Sequence, residues 1–263
     1  MTADRHSRSL AAAYDAEYAV IRDASGDREF YADLARRSGG PVLEIGCGTG
    51  RVLLPIARDG IECVGVDPSD AMLDVLRAKG PPPNATIVRG SATGADVGER
   101  RFRLVFAAFR VFQHLLTVED QLAALAFVRG HLAPGGVFAF DVFAPDMARL
   151  ALTEEPEQED VRTTDGTDEV LRSHWIERDL AAQVQRVWFR HRRVRDGVTV
   201  ADDVSHISMR WFHRFELEHL LARSGFAIQA VHGSFDRRPY DASGDIVVVA
   251  RAAGARAADR FTA

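Results

Sequence analysis

Three glycines spaced by two, Gly46, Gly48 and Gly50, follow directly on the apolar run Val42 to Ile45 in the segment Val-Leu-Glu-Ile-Gly-Cys-Gly-Thr-Gly. Glycine has no Cβ, so such a turn reaches positive φ and lets a ligand lie against bare backbone amides at a helix start. Seventeen residues past Gly50, at the end of a second apolar run from Ile61 to Val66, stands Asp67, where the ribose-binding acid of a mononucleotide-binding βαβ half falls. Loop and acid together predict a nucleoside-like cofactor. A dinucleotide loop, GxGxxG, would place its third glycine at position 51, which is arginine. His114 closes the run Ala107-Ala108-Phe109-Arg110-Val111-Phe112-Gln113-His114. An imidazole there can take a proton from an amine or hydroxyl as that group attacks an electrophile. It can equally cap the helix that starts at Thr117.

Glu44 to Gly50 also resembles the first motif of class I S-adenosylmethionine-dependent methyltransferases, and the resemblance extends from about Tyr14 to Arg251. It implies an α/β fold: a Rossmann-like, seven-stranded, mostly parallel sheet whose final strand is antiparallel, with an N-terminal helical lid and an antiparallel β insertion. It also implies S-adenosyl-L-methionine as cofactor, S-adenosyl-L-homocysteine as product, and a small-molecule acceptor methylated in line at nitrogen, oxygen or carbon. On this resemblance Glu44, Gly46, Cys47, Gly48 and Gly50 hold the methionine part and the ribose edge. Asp67, beside Pro68, takes the ribose hydroxyls, and Phe109 and Arg110 stand near the methyl group. Met72 either covers the adenine face or belongs to the helix core. Ser91 and Ala92 border the adenine edge, where look-alikes commonly carry Asp in place of Ser91, a stronger acceptor.

The Tyr14-Asp15 pair resembles the start of sugar-amine N-methyltransferases of the same superfamily, which also carry a histidine in the loop matching His114. Tyr14 and His114 are therefore the catalytic candidates, with helix packing the alternative for Tyr14. Acceptor-facing candidates are Tyr18, Tyr31, Phe143, Trp175, His206, Trp211 and Tyr240, each of which could instead be core.

These residues need a frame, and the pattern supplies one. Apolar strands at 41–45, 61–66, 85–88, 103–108 and 136–143 alternate with helices at 50–58, 69–78 and 117–131, which implies parallel strands with right-handed crossovers. Two helices, Ser7 to Ile21 and Asp27 to Arg37, precede this core, with Asp27 available as an N-cap. Pro81-Pro82-Pro83 ends one core helix, and Pro134-Gly135-Gly136 turns another into the fifth strand. The segment 153–168 holds five carboxylates between Glu154 and Asp160 and reads as a solvated loop. Alternating strands follow at 169–178, 183–195 and 198–212. Asp196-Gly197 is a two-residue hairpin turn that would set Arg190 against Asp203, His191 against Asp202 and Val187 against His206. A helix from His213 to Ser224 follows, and strands at 226–233 and 246–251 close the sheet. The expected division is a lid (1–40), a core (41–152 and 213–252) and an insertion over the site (153–212).

Composition narrows the partners. A net charge of −5 gives no global pull toward nucleic acid or an anionic membrane, so neither is expected as a partner. Residues 1 to 20 are charged throughout, no stretch approaches membrane-spanning length, and only Cys47 and Cys63 are cysteines, which together predict a cytoplasmic protein. No metal is expected, because cross-strand pairing accounts for Asp202, Asp203 and His206. Monomer and homodimer both remain open. The rival functions are a nicotinamide-dependent oxidoreductase and a catalytically silent cofactor-binding subunit.

Overall fold

The structure, a computed structural model, describes residues 11, 14–18 and 26–254. Of the first predicted helix, residues 14–18 are helical and most of the remainder lies outside the described residues. The second is α1 (Asp27–Ser38). Gly26, at φ 75°, occupies its N-cap position, so Asp27 is not the cap; its buried carboxylate instead pairs with the half-buried Arg51 at 2.5 Å.

The core alternates as the apolar pattern requires: β1 (Val42–Ile45), α2 (Leu53–Arg58), β2 (Cys63–Asp67), α3 (Asp70–Ala78), β3 (Ala85–Arg89), β4 (Phe102–Ala107), α4 (Val118–His131) and β5 (Leu132–Phe143). Ser69 caps α3 by accepting from the Met72 amide, and Thr117 caps α4 by accepting from that of Asp120. Pro134-Gly135-Gly136 does not end the helix as a separate turn. It lies inside β5, where the register with β4 shifts between Phe102 and Leu104.

After α5 (Met147–Leu150) come four long strands, β6 (Glu154–Asp165), β7 (Asp168–Asp179), β8 (Val184–Arg195) and β9 (Val198–Arg210); then α6 (Arg214–Arg223), β10 (Phe226–His232) and β11 (Asp245–Ala252). The main sheet has seven strands in the order β10-β11-β5-β4-β1-β2-β3, and β11 is antiparallel to both its neighbours. β1 lies between β2 and β4, so the chain reverses direction across the sheet there and opens a crevice beyond the carboxyl ends of these strands. Apolar side chains bury both faces of this sheet, Leu43, Val105 and Phe138 among them on one side and Val42, Leu104 and Phe106 on the other.

The second sheet, β6-β7-β8-β9, is a four-stranded antiparallel meander. Two expectations fail here. The acidic segment 153–168 is mostly strand β6, because its carboxylates meet arginines across the sheet: Glu155 pairs with Arg178, Asp160 with Arg172 at 2.6 Å, and Glu157 with Arg190 at 2.7 Å. Pro156 is tolerated on this edge strand where the register shifts between Glu155 and Gln158. The hairpin register is also one residue off the predicted one. His191 faces Asp203, Arg190 faces Val204 and Val187 faces Ile207, because a bulge between Arg193 and Val194 inserts a residue beside the turn.

Candidate active site

The glycine turn sits at the crevice. Gly46, Gly48 and Gly50 have φ of 72°, 52° and 81°, all left-handed. A Cβ on Gly46 would lie 2.4 Å from Val111, so the turn and the loop after β4 touch only because this side chain is absent. Asp67 closes the turn from β2: its Oδ2 accepts the Gly48 amide and its Oδ1 the Ser69 amide, each at 2.9 Å. Burial pushes the Asp67 carboxyl pKa up, and these two amides pull against that.

Beyond β4, Phe109 and Arg110 take positive φ, 58° and 65°, a costly region for residues with side chains. The fully buried Asp141 on β5 holds that corner: Oδ1 accepts the Phe109 amide at 2.8 Å and Oδ2 the Arg110 amide at 3.1 Å. The short 3-10 turn Val111–His114 follows. Gln113 within it is buried and bridges two elements, donating to the Arg210 carbonyl at 2.9 Å and accepting the Phe143 amide at 3.0 Å. His114 Nδ1 lies 3.1 Å from the Ser208 carbonyl. A carbonyl only accepts, so Nδ1 carries the proton in the neutral ring and Nε2 is the basic nitrogen.

The 14–18 helix is fastened across this loop. Tyr18 packs edge-on against Phe109, with ring centroids 4.9 Å apart, and Tyr14 against Tyr18 at 4.3 Å. Asp15 accepts from the Thr49 hydroxyl at 2.6 Å and pairs with Lys79 at 2.5 Å. Glu17 pairs with Arg172 of β7 at 2.9 Å and with His191 of β8 at 3.0 Å. Burial pushes the phenol pKa of both tyrosines up, so each hydroxyl stays protonated at neutral pH.

One cavity of about 930 Å³ runs from Gly46, Gly48 and Asp67 past Phe109, Arg110 and His114 to the inner face of the β6–β9 sheet. Its walls suit S-adenosylmethionine. Nothing lies within 4 Å of a Cβ built on Gly48, which leaves backbone for a ligand to approach, and Asp67 offers a carboxylate beside that amide.

Residues 42–136 match the family model described as a methyltransferase domain. The CcbJ methyltransferase of Streptomyces caelestis is 32% identical, with 88% of this chain and 96% of that one covered and a TM-score of 0.73. This chain belongs to the S-adenosylmethionine-dependent methyltransferases. That assignment sets aside the nicotinamide-dependent and silent-subunit readings. A curated relative, the dTDP-3-amino-3,4,6-trideoxy-alpha-D-glucopyranose N,N-dimethyltransferase of Streptomyces venezuelae, is 27% identical over 81% of this chain and 87% of its own length. The sugar N-methyltransferase KedS8 from a Streptoalloteichus species shares the fold, with a TM-score of 0.72 at 19% identity over 90% of this chain and 92% of that one.

In this methyltransferase the cavity wall includes Tyr14, Tyr18, Pro68, Met72, Ser91, Ala92 and Phe143 as well as the residues above. The Ser91 hydroxyl is shared with Thr93 at 2.9 Å. Other predicted residues stand elsewhere. Glu44 is buried beneath the turn, where burial pushes its pKa well up, and Cys47 is core. A side chain on Gly50 would strike Leu54 and Leu76, so that glycine serves packing. Tyr31 is fully buried against Phe106. Trp175 stacks on Trp188 at 5.6 Å and Trp188 meets His206 at 4.6 Å, all on the sheet face opposite the cavity. Trp211 is buried, and Tyr240 packs against the main core. Asp141, Gln113 and the inner face of β7 were missed, since their roles depend on contacts across long stretches of chain.

Proposed function

We propose that this methyltransferase N-methylates the amine of a small, amino-sugar-like acceptor. The observation that carries the reading is the continuous cavity joining the glycine turn and Asp67 to His114 and to the inner face of the insertion. The named activity of the Streptomyces venezuelae relative, on an amino sugar, supports the amine as the reacting group.

Gly46, Gly48 and Asp67 would hold the cofactor, with Pro68, Met72, Ser91 and Ala92 along its remaining length and Phe109 and Arg110 beside the reacting end. The cofactor supplies an electrophilic methyl group on a sulfonium. The chain's part is placement: holding nucleophile and methyl in line replaces a bimolecular encounter by a positioned one. His114, its ring fixed by the Ser208 carbonyl, presents Nε2 as proton acceptor for the amine. Tyr14 and Tyr18, both protonated, exclude water and can donate hydrogen bonds but do not take the proton. The reaction is assigned to the cytosol, where Cys47 and Cys63, both unpaired, stay reduced.

Incubation with methyl-labelled S-adenosylmethionine and a panel of amino sugars, sugar hydroxyls and phenols, read by mass spectrometry, tests this. Label on an amine nitrogen is expected. Label on oxygen or carbon acceptors alone would refute the choice of atom.

A further inference from the structure

The acceptor half of the cavity contains a second histidine that the reaction above does not use. His174, on β7, lines the cavity, and its Nδ1 lies 3.1 Å from Oδ2 of Asp160 on β6. That nitrogen is buried and has no hydrogen bond of good geometry, so the carboxylate meets it as a close electrostatic contact while the residue lines the cavity. Asp160 does not swing. Arg172 grips it with two nitrogens, Nε to Oδ1 at 3.1 Å and Nη2 to Oδ2 at 2.6 Å, and is itself held by Glu17 of the 14–18 helix. The chain Glu17-Arg172-Asp160-His174, buried at Glu17 and Arg172, therefore holds an imidazole at the cavity wall. A carboxylate beside Nδ1 favours the neutral tautomer that carries its proton there, which leaves Nε2 to accept from a donor on the ligand.

Two observations say which donor. First, the arginines of this region are already paired: Arg172 with Glu17 and Asp160, Arg149 and Arg178 with Glu155. Little positive charge is left over for a phosphate or carboxylate, and apolar Ile176, Val187 and Phe189 line the same wall. Such a mixture suits a neutral hydroxylated ring. Second, His174 is far from the methyl-delivering loop. His114 is tied to Ser208 on β9, whose row in the sheet runs through Arg186 to Glu177. His174 is two strands across from Ser208 and three residues along from that row, about 10 Å in each direction. The amine belongs at His114, and a different group of the acceptor reaches β7.

We propose that His174, oriented by Asp160, is a specificity-determining residue that recognises a hydroxyl of the acceptor. This rests on the amino-sugar reading above. It adds a built polar subsite on the insertion sheet, fastened through Arg172 to the helix that covers the cavity.

Calorimetry on the complex with S-adenosylhomocysteine tests it without turnover. The probes are methyl 3-amino-3-deoxy-α-D-glucopyranoside and cyclohexylamine, which carries an amine on a six-membered ring without hydroxyls. His174→Ala should weaken sugar binding about tenfold or more, the scale of one lost hydrogen bond of about 1.4 kcal/mol. His174→Gln, whose carbonyl still accepts, should restore most of it, and cyclohexylamine should bind all three proteins alike. Equal loss for both probes, or sugar binding no tighter in the parent than in His174→Ala, overturns the proposal. S-adenosylhomocysteine is titrated first; if it fails to bind the parent protein, the methyltransferase site itself is refuted, which is a separate outcome.

Discussion

The Tyr31 hydroxyl on α1 donates to Oδ1 of Asp141 on β5 at 2.7 Å, inside the core, and the same carboxylate receives the backbone amides of Phe109 and Arg110. One buried charge thus compensates two left-handed residues at the edge of the cavity. Such residues cost about 1 to 3 kcal/mol each, and they persist only where surrounding contacts fix them. Tyr31→Phe removes a buried donor from a charged acceptor, so stability should fall by about 1.5 to 3 kcal/mol in denaturant unfolding. Turnover should fall further than affinity for S-adenosylhomocysteine, because the displaced corner borders the part of the cavity proposed to hold the reacting methyl group. Unchanged turnover in a stably folded variant would contradict the link.

Asp67→Ala takes the carboxylate away from the cavity. Binding of S-adenosylhomocysteine should weaken by about 1 to 3 kcal/mol through lost charge-assisted hydrogen bonds. Burial holds the Asp67 pKa above its ordinary value, and the proposed contact with ribose hydroxyls needs the ionised form. Affinity should therefore begin to fall on acidification at a pH above about 4, the usual carboxylate value, and Asp67→Asn should flatten that dependence. Calorimetry across pH reads both effects.

His114→Gln keeps the ring position filled with a side chain that cannot accept a proton at neutral pH. If His114 receives the amine proton, kcat should drop by about 10²-fold or more while S-adenosylhomocysteine affinity stays within about twofold. A parallel loss of cofactor binding would instead mark the residue as structural, acting through its tie to Ser208.

The ion pairs of the insertion set its acid limit. Hydrogen bonds from Arg195 and then Arg193 hold the Asp168 carboxyl at about 2. Burial raises Asp160, but pairing with His174 and Arg172 outweighs it and keeps that carboxyl well below the ordinary range. Carboxylates lowered in the folded state stabilise it above their unfolded pKa, near 4, and that stability is lost as pH falls through the folded value. The three tryptophans, Trp175, Trp188 and Trp211, lie in or beside the insertion. Tryptophan-monitored Tm should hold steady down to about pH 5 and fall between about pH 4 and pH 2. A decline complete above pH 5 would contradict this origin.

Much of the frame was legible because its signals are local. The Val42–Ile45 strand, the Gly46-Gly48-Gly50 turn, Asp67 and the Thr117 cap each depend on residues a few positions apart, and backbone chemistry leaves them few alternatives. The crossovers follow from the alternation of strands and helices, and the Asp196-Gly197 turn announces its hairpin. Even so, the register of that hairpin was not legible, because a single bulge at Arg193 and Val194 moves every pair beyond it.

By itself the sequence determined a strand running into a turn of left-handed glycines with Asp67 opposite it, since glycine meets those dihedrals without strain and a carboxylate there accepts the Gly48 and Ser69 amides. Tertiary structure decided which side chains face the cavity. An acidic run became strand β6 because arginines more than ten residues distant neutralise it, Tyr31 turned inward to Asp141, and adjacent Trp175 and His174 took opposite faces of one strand. Those outcomes rest on charge pairing and burial between segments far apart in the chain, and a one-residue change of register reverses which of two neighbours is buried.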